Sequence, residues 1–245
     1  MPTLKLWQQE YECEFIDVES YEAIISRTAI DKCLNNPPVL MRGKKCAFID
    51  FGGGVAETVI ARMEGNKILE PIAWVDDNAY ANAGKIIHEC STWNIEPSSI
   101  FGDYGYGKQI MDFMAEMGWA IQQVNNGSPS NEKIFANTGA EIWYDAKKRI
   151  EQCDVILPRD EITLQQMTNR GIRYKTGGKI GIETKESMFS RGVKSPDRAD
   201  AVCGVISRYK YIQHGINQPK FFNSQPISVI DNERKKLMRG FFVGN

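Results

Sequence analysis

The sequence predicts an α/β fold with a mixed β-sheet, and two observations carry that reading. Near the start of the chain, three apolar strand candidates follow one another through short turns, which is the pattern of an antiparallel meander. After them, short apolar runs alternate with segments of helical periodicity, which is the pattern of parallel strands joined by crossover helices.

In chain order, Met1 to Phe15 mixes Trp7, Tyr11 and Phe15 with Glu10, Glu12 and Glu14 without a clean period. Residues 1–40 are read as a lead-in from a longer chain or a linker. Ser20 to Cys33 carries Tyr21, Ile24, Ile25 and Ala29 at helical spacing, and Asn35-Asn36-Pro37-Pro38 ends it. Cys46 to Phe51 is an apolar strand, Gly52 to Gly54 a tight turn, and Glu57 to Met63 the returning strand. A third strand, Ile68 to Val75, follows the Gly65-Asn66 turn. Asn78 to Trp93 is helical, with Ala79, Ala83, Ile86, Ile87 and Cys90 on one face. A short strand through Ile100 and Phe101 leads to a helix over Gln109 to Met117, closed by Gly118. Trp119 to Val124 reads as a strand, Ala140 to Gln152 as a helix, Val155 to Leu157 as a short strand and Glu161 to Asn169 as a helix. Gly177-Gly178 joins Ile172–Thr176 to Lys179–Glu183 in a hairpin. Ser195 and Pro196 open a last helix running to about Tyr211, as N-cap and first helical residue. Gln213 onward reads as a tail, with Pro219, Pro226 and the basic Arg234-Lys235-Lys236.

Composition narrows the function classes. The chain has 245 residues and a formal charge of −1, so nucleic-acid binding would rest on a local basic patch. Six scattered cysteines without a Cys-x-x-Cys pair argue against a zinc knuckle or a disulfide framework and suit a reducing compartment. The two histidines, His88 and His214, are far apart, which leaves a Ser-His-Asp triad and a histidine zinc site poorly supported. No signal peptide and no long apolar run is present, and the chain reads as soluble and intracellular.

Acidic positions remain as the candidate chemistry. Asp50 sits between Ile49 and Phe51, where a carboxylate is costly to bury without a cation, and its hard oxygens suit Mg²⁺ or Mn²⁺; the plain alternative is a turn-capping residue. Asp103 follows a second strand, and strand ends are where α/β sheets place ligands. Asp197 and Asp200, three apart at a helix start, can share one face, although acids there also simply complement the helix dipole. Two nucleotide-binding readings compete. Gly102 to Lys108 matches G-x-x-x-x-G-K, but Gln109 stands where a magnesium-binding hydroxyl is needed, and Asp103 puts negative charge in the loop. Asp50-Phe51-Gly52-Gly53-Gly54 could serve as the phosphate turn of an actin-like or sugar-kinase ATPase. For DNA contact, Lys175, Lys179, Lys185, Arg191, Lys194 and Arg198 cluster around the Gly177-Gly178 hairpin and the last helix. A solvated charged face is the alternative. Lys185 is the one favoured near the acids, because little chain separates it from the acidic helix. Tyr104, Tyr106 and Trp143 read as packing residues.

Taken together, Ile49-Asp50-Phe51-Gly52, Asp103-Tyr104-Gly105-Tyr106-Gly107, Lys185 and the block Arg191 to Ala201 with its Ser-Pro-Asp-x-x-Asp-Ala resemble the nuclease domain of tailed-phage terminase large subunits. Asn125-Asn126-Gly127, Phe135-Ala136-Asn137, Glu141-Ile142-Trp143 and Ile156-Leu157-Pro158 agree with it, and the resemblance runs from about Gln9 to Tyr211. It implies an RNase H-like domain over 41–212, with an added hairpin and a tail at 213–245. It also implies cleavage of double-stranded DNA during genome packaging with two divalent ions, Mg²⁺ or Mn²⁺. Carried over, the ligands would be Asp50, Asp103 and Asp200, with Asp197 as a fourth acid, Asp50 bridging and Lys185 near the cut. The implied partners are DNA, the terminase ATPase domain and small subunit, and a portal or procapsid reached by the tail, in the cytoplasm of an infected host. No membrane is implied. A resolvase-like nuclease and an inactive docking module are the rival uses of the same fold. No convincing ATPase motor accompanies it in this chain.

Overall fold

Two cores, one on each face of a single sheet, follow from the alternation of side chains along its central strand. The structure, a computed structural model, describes residues 22–175 and 177–214; the aromatic-acidic start, the tail and Thr176 lie outside them. Strand β1 (Lys45–Asp50) is buried along nearly its whole length. Its residues Ala47 and Ile49 enter one core, and Cys46 and Phe48 enter the other, as a period of two requires.

The sheet is mixed. β1 pairs antiparallel with β2 (Thr58–Glu64) and parallel with β5 (Ile100–Asp103), and β5 pairs parallel with β6 (Gln122–Val124). The single third strand expected over Ile68–Val75 is two pieces, β3 (Lys67–Ile68) and β4 (Ile72–Trp74), both on β2. Pro71 lies between them and has no N–H to give to a ladder. Val155–Leu157 does not form a strand; Ile156 makes one isolated bridge to Lys67.

Helix α1 (Arg27–Asn35) begins later than expected, because Ser26 caps it through Ala29 N–H at 3.1 Å. Ile24, Ile25 and Ile30 are fully buried, so the fold takes in chain expected to precede it. On the other face lie α2 (Ala79–Thr92), capped by Asn78, and α3 (Tyr104–Glu116). Helix α3 starts directly after Asp103 rather than at Gln109. Gly102 to Lys108 is thus a strand end and a helical turn, not a phosphate loop, and Lys108 is exposed and paired with Asp112 at 2.8 Å. The first face is covered by α1, α4 (Thr138–Glu151), α5 (Glu161–Thr168) and the last helix, α7 (Asp197–His214). Pro196, not Ser195, accepts the first helical bond of α7, from Asp200 N–H at 2.7 Å.

The hairpin β7 (Ile172–Tyr174) and β8 (Ile180–Ile182) forms its own two-stranded sheet. After it comes a helix that periodicity did not reveal, α6 (Lys185–Ser190). Buried Glu183 ties this region together. It accepts from Arg191 at 2.8 and 2.9 Å, from Ser187 at 2.8 Å and from Gly171 N–H at 3.1 Å. Burial alone would raise its pKa, but these donors outweigh it and bring it down to about 2.

Two outcomes follow from this packing. Gly204 brings α7 so close to β1 that an added Cβ would stand 2.4 Å from the Phe48 ring. Gly204→Ala should therefore lower unfolding stability by roughly 1–3 kcal/mol despite alanine's better helix propensity; an unchanged midpoint in urea melts would refute that packing. A carboxyl brought from 4.5 to about 2 contributes up to roughly 3 kcal/mol. That contribution is complete above about pH 4.5 and is lost as pH falls toward 2. Glu183→Gln should be less stable than wild type at pH 7 and should show a shallower loss of stability between pH 5 and 2, read by thermal melts across that range.

Candidate functional site

Strand register places the first two acids. Phe48 lies opposite Phe101 and Ile49 opposite Gly102 in the parallel β1–β5 pair. One step further, Asp50 and Asp103 end their strands side by side, on the face that Phe48 and Phe101 share. Both strands end there at their carboxyl ends, where an α/β sheet opens onto a ligand crevice. Helix α7 lies over that same face and brings Asp200 and Asp197 from its first turn.

A cavity of about 270 Å³ opens among Asp50, Asp103, Asp200, Lys185, Asn126 and Trp143. Asp197 does not line it. Its carboxylate is turned to the Lys185 ammonium at 3.2 Å and to the Ser195 hydroxyl. Asp200 accepts from the buried Trp143 indole N–H at 2.7 Å and from Arg170, whose guanidinium also stacks 5.2 Å from the Trp143 ring. Asp103 accepts from Asn126 Nδ2 at 3.0 Å. Asp50 is 5% exposed, and its charge meets neighbours only through space.

The electrostatics follow from this burial. Desolvation holds the Asp50 carboxyl well above the usual range, opposed by Lys185 and reinforced by Asp200, Asp197 and Asp103. Burial also raises Asp103, against backbone donors at Gly105 and Asn126. For Lys185, burial works against the charge, yet Asp200, Asp50 and Asp197 prevail and raise its pKa. Four carboxylates thus share two cations, Lys185 and Arg170.

This donor set fits hard divalent cations. All four acids offer oxygen, and Asp50 has no hydrogen-bond donor of its own among the described residues. As the side chains stand, no three ligating groups among the described residues converge on one point. The Lys185 ammonium lies 3.2 Å from Asp197 and 3.7 Å from Asp200.

The basic residues separate into distinct environments. Lys175 and Lys185 line the cavity, while Lys179 and Lys194 are exposed away from its walls. Arg191 is engaged by Glu183. Arg198 joins Glu57 at 2.9 Å and Asp160 at 3.3 Å, fastening α7 to the β1–β2 turn and to α5. Of the three aromatic residues expected to pack, Trp143 is buried and Tyr104 half-buried, but Tyr106 is 82% exposed, its ring lying over Gly53. Arg170, Asn126 and the indole of Trp143 are site residues that sequence reasoning did not assign. Asn126 and Trp143 had a signal, in the Asn125-Asn126-Gly127 and Glu141-Ile142-Trp143 segments; Arg170 had none.

No protein-family model matches the chain, and no curated protein matches it. Solved structures do. A lysine-to-alanine mutant of gp2c of the large terminase subunit from bacteriophage Sf6, with calcium, superposes with a TM-score of 0.64 at 16% identity, covering 76% of this chain and 99% of that one. The large terminase nuclease of thermophilic phage G20c with bound magnesium gives 0.56 at 15% identity, over 76% and 99%. The large terminase of bacteriophage HK97 gives 0.57 at 11% identity, over 77% of this chain and 44% of that one. The likeness establishes the architecture: this chain has the RNase H-like fold of phage large-terminase nuclease domains.

Proposed function

We propose that this chain is a divalent-metal-dependent endonuclease domain that cuts double-stranded DNA during viral genome packaging. The observation that carries the reading is the buried Asp50 carboxylate, without a hydrogen-bond donor among the described residues, facing a cavity it shares with Asp103 and Asp200. The solved structures of the same fold support it, since those of Sf6 and G20c include forms with manganese, calcium, magnesium and cobalt.

In this proposal Asp50, Asp103 and Asp200 are the residues that would hold two divalent ions. Divalent cations in such a site supply the Lewis acidity that phosphodiester hydrolysis requires. Asp200 is preferred to Asp197 because it lines the cavity. Trp143 and Arg170 hold Asp200 in one orientation, which limits reorganisation when charge develops. Lys185 neutralises the acids before ions enter and is placed to meet a phosphate at the cavity mouth. Lys175 on the hairpin adds a second phosphate contact, with Lys179 and Lys194 further along the backbone. Arg191 and Arg198, held in ion pairs, shape the protein rather than grip the DNA. The ATPase motor, the small subunit and the portal or procapsid are the partners proposed for a packaging nuclease, with the infected host's cytoplasm as its setting. Among the described residues, no helix is long and apolar enough to cross a membrane.

A supercoiled-plasmid assay tests the reading. Nicking and linearisation should appear with Mg²⁺ or Mn²⁺, vanish in EDTA and need no ATP. Asp50→Ala and Asp200→Ala should each reduce the rate at least a hundredfold, with far-UV circular dichroism unchanged. Cleavage at the wild-type rate by both variants would sink the metal assignment.

A further inference from the structure

Asp103 occupies the position just before α3, where an aspartate ordinarily accepts from the backbone N–H groups of the first turn. It forms no regular capping bond there, and the Gly105 N–H of that turn reaches its carboxylate only as one of several donors. Its carboxylate instead faces the cavity and accepts from Asn126 Nδ2 at 3.0 Å. The other end of that amide has no partner: Asn126 Oδ1 is buried and unbonded. Turning the amide over would set Oδ1 against the Asp103 carboxylate, so the donor end must face the acid. A buried acceptor left unbonded is destabilising, and such groups call for an explanation beyond stability.

The backbone around Asn126, by contrast, is tied to the start of α4. Its carbonyl accepts from Gly139 N–H at 2.9 Å, and Ser128 O accepts from Thr138 N–H at 2.8 Å, both at the start of α4. Asn125 Oδ1 accepts from Gly127 N–H at 2.9 Å. Gly139 keeps the approach close, since a Cβ there would meet the Asn126 carbonyl at 3.3 Å. The loop is thus held by its main chain, and the Asn126 side chain is left to address Asp103.

We infer that Asn126 is a positioning residue of the cation site: its amide holds the Asp103 carboxylate toward the cavity. Helix α4 then aims two acids that it does not carry, Asp103 through the docked Asn126 loop and Asp200 through Trp143. This rests on the metal-dependent reading above. Partners that orient ligating side chains typically contribute ten- to a hundredfold to metal affinity.

The test is calorimetric titration of the full chain with Mn²⁺, without DNA, alongside thermal melts in EDTA. Asn126→Ala should bind Mn²⁺ about tenfold more weakly than wild type, with a melting temperature in EDTA within about 2 °C of it. Asn126→Ser, which restores a short donor, should fall between. Equal Mn²⁺ affinity in wild type and Asn126→Ala would overturn the inference. So would a melting temperature that falls by many degrees in Asn126→Ala, since the amide would then serve the fold. Absence of Mn²⁺ binding by wild type would instead remove the metal-dependent reading itself.

Discussion

Asp50 imposes the constraint around which the site is arranged. A carboxylate at the end of the central strand, 5% exposed and without a donor among the described residues, pays a desolvation cost that water or hydrogen bonds would normally relieve. The surrounding chain answers with charge placed at short range. Lys185 approaches from α6, Arg170 neutralises Asp200, and Glu183 draws Arg191 in to hold α6 where Lys185 can reach the acids. Replacing buried ion pairs by apolar groups is often neutral or stabilising, so stability alone gives little reason for such a cluster. Its arrangement makes sense as a site preorganised for cations.

The geometry is inexpensive in structural terms because it reuses regular features. The period of two along β1 and β5 points Asp50 and Asp103 to the same face as Phe48 and Phe101. The parallel register sets them side by side at the carboxyl ends of their strands. Gly204 lets α7 descend onto Phe48, which lowers the first turn of that helix, and with it Asp200, onto the cavity. Each acid therefore sits at an element terminus fixed by a separate part of the core.

Much of this was legible in the chain itself. The β1–β2 hairpin, the Asn78-capped helix, the Gly177-Gly178 hairpin and the acids at strand and helix ends all declare themselves by periodicity and turn chemistry. What was hidden had physical causes. Helix α6 is six residues long, too short to show a period. The glycines at 105 and 107 disguised the first turns of α3 as a loop; Gly107 is required there because a Cβ would strike the Phe51 ring at 2.2 Å. Tyr106 looked like a packing residue by type, yet its position on α3 turns it to solvent. Arg191 and Arg198 looked like DNA contacts by charge, but their carboxylate partners Glu183, Glu57 and Asp160 are 8 to 141 residues away. Pairing that does not follow helix or strand spacing leaves no local trace, and the same holds for Arg170 at Asp200.

The central claim is that divalent cations bind among Asp50, Asp103 and Asp200. Crystals soaked in Mn²⁺ and measured at an energy where manganese scatters anomalously test it most directly. The account predicts strong anomalous peaks inside the cavity, within coordination distance of Asp50 and of at least one of Asp103 and Asp200, with the Lys185 ammonium displaced from its present contacts. A cavity without anomalous signal, in crystals where Mn²⁺ binds elsewhere on the surface, would contradict it.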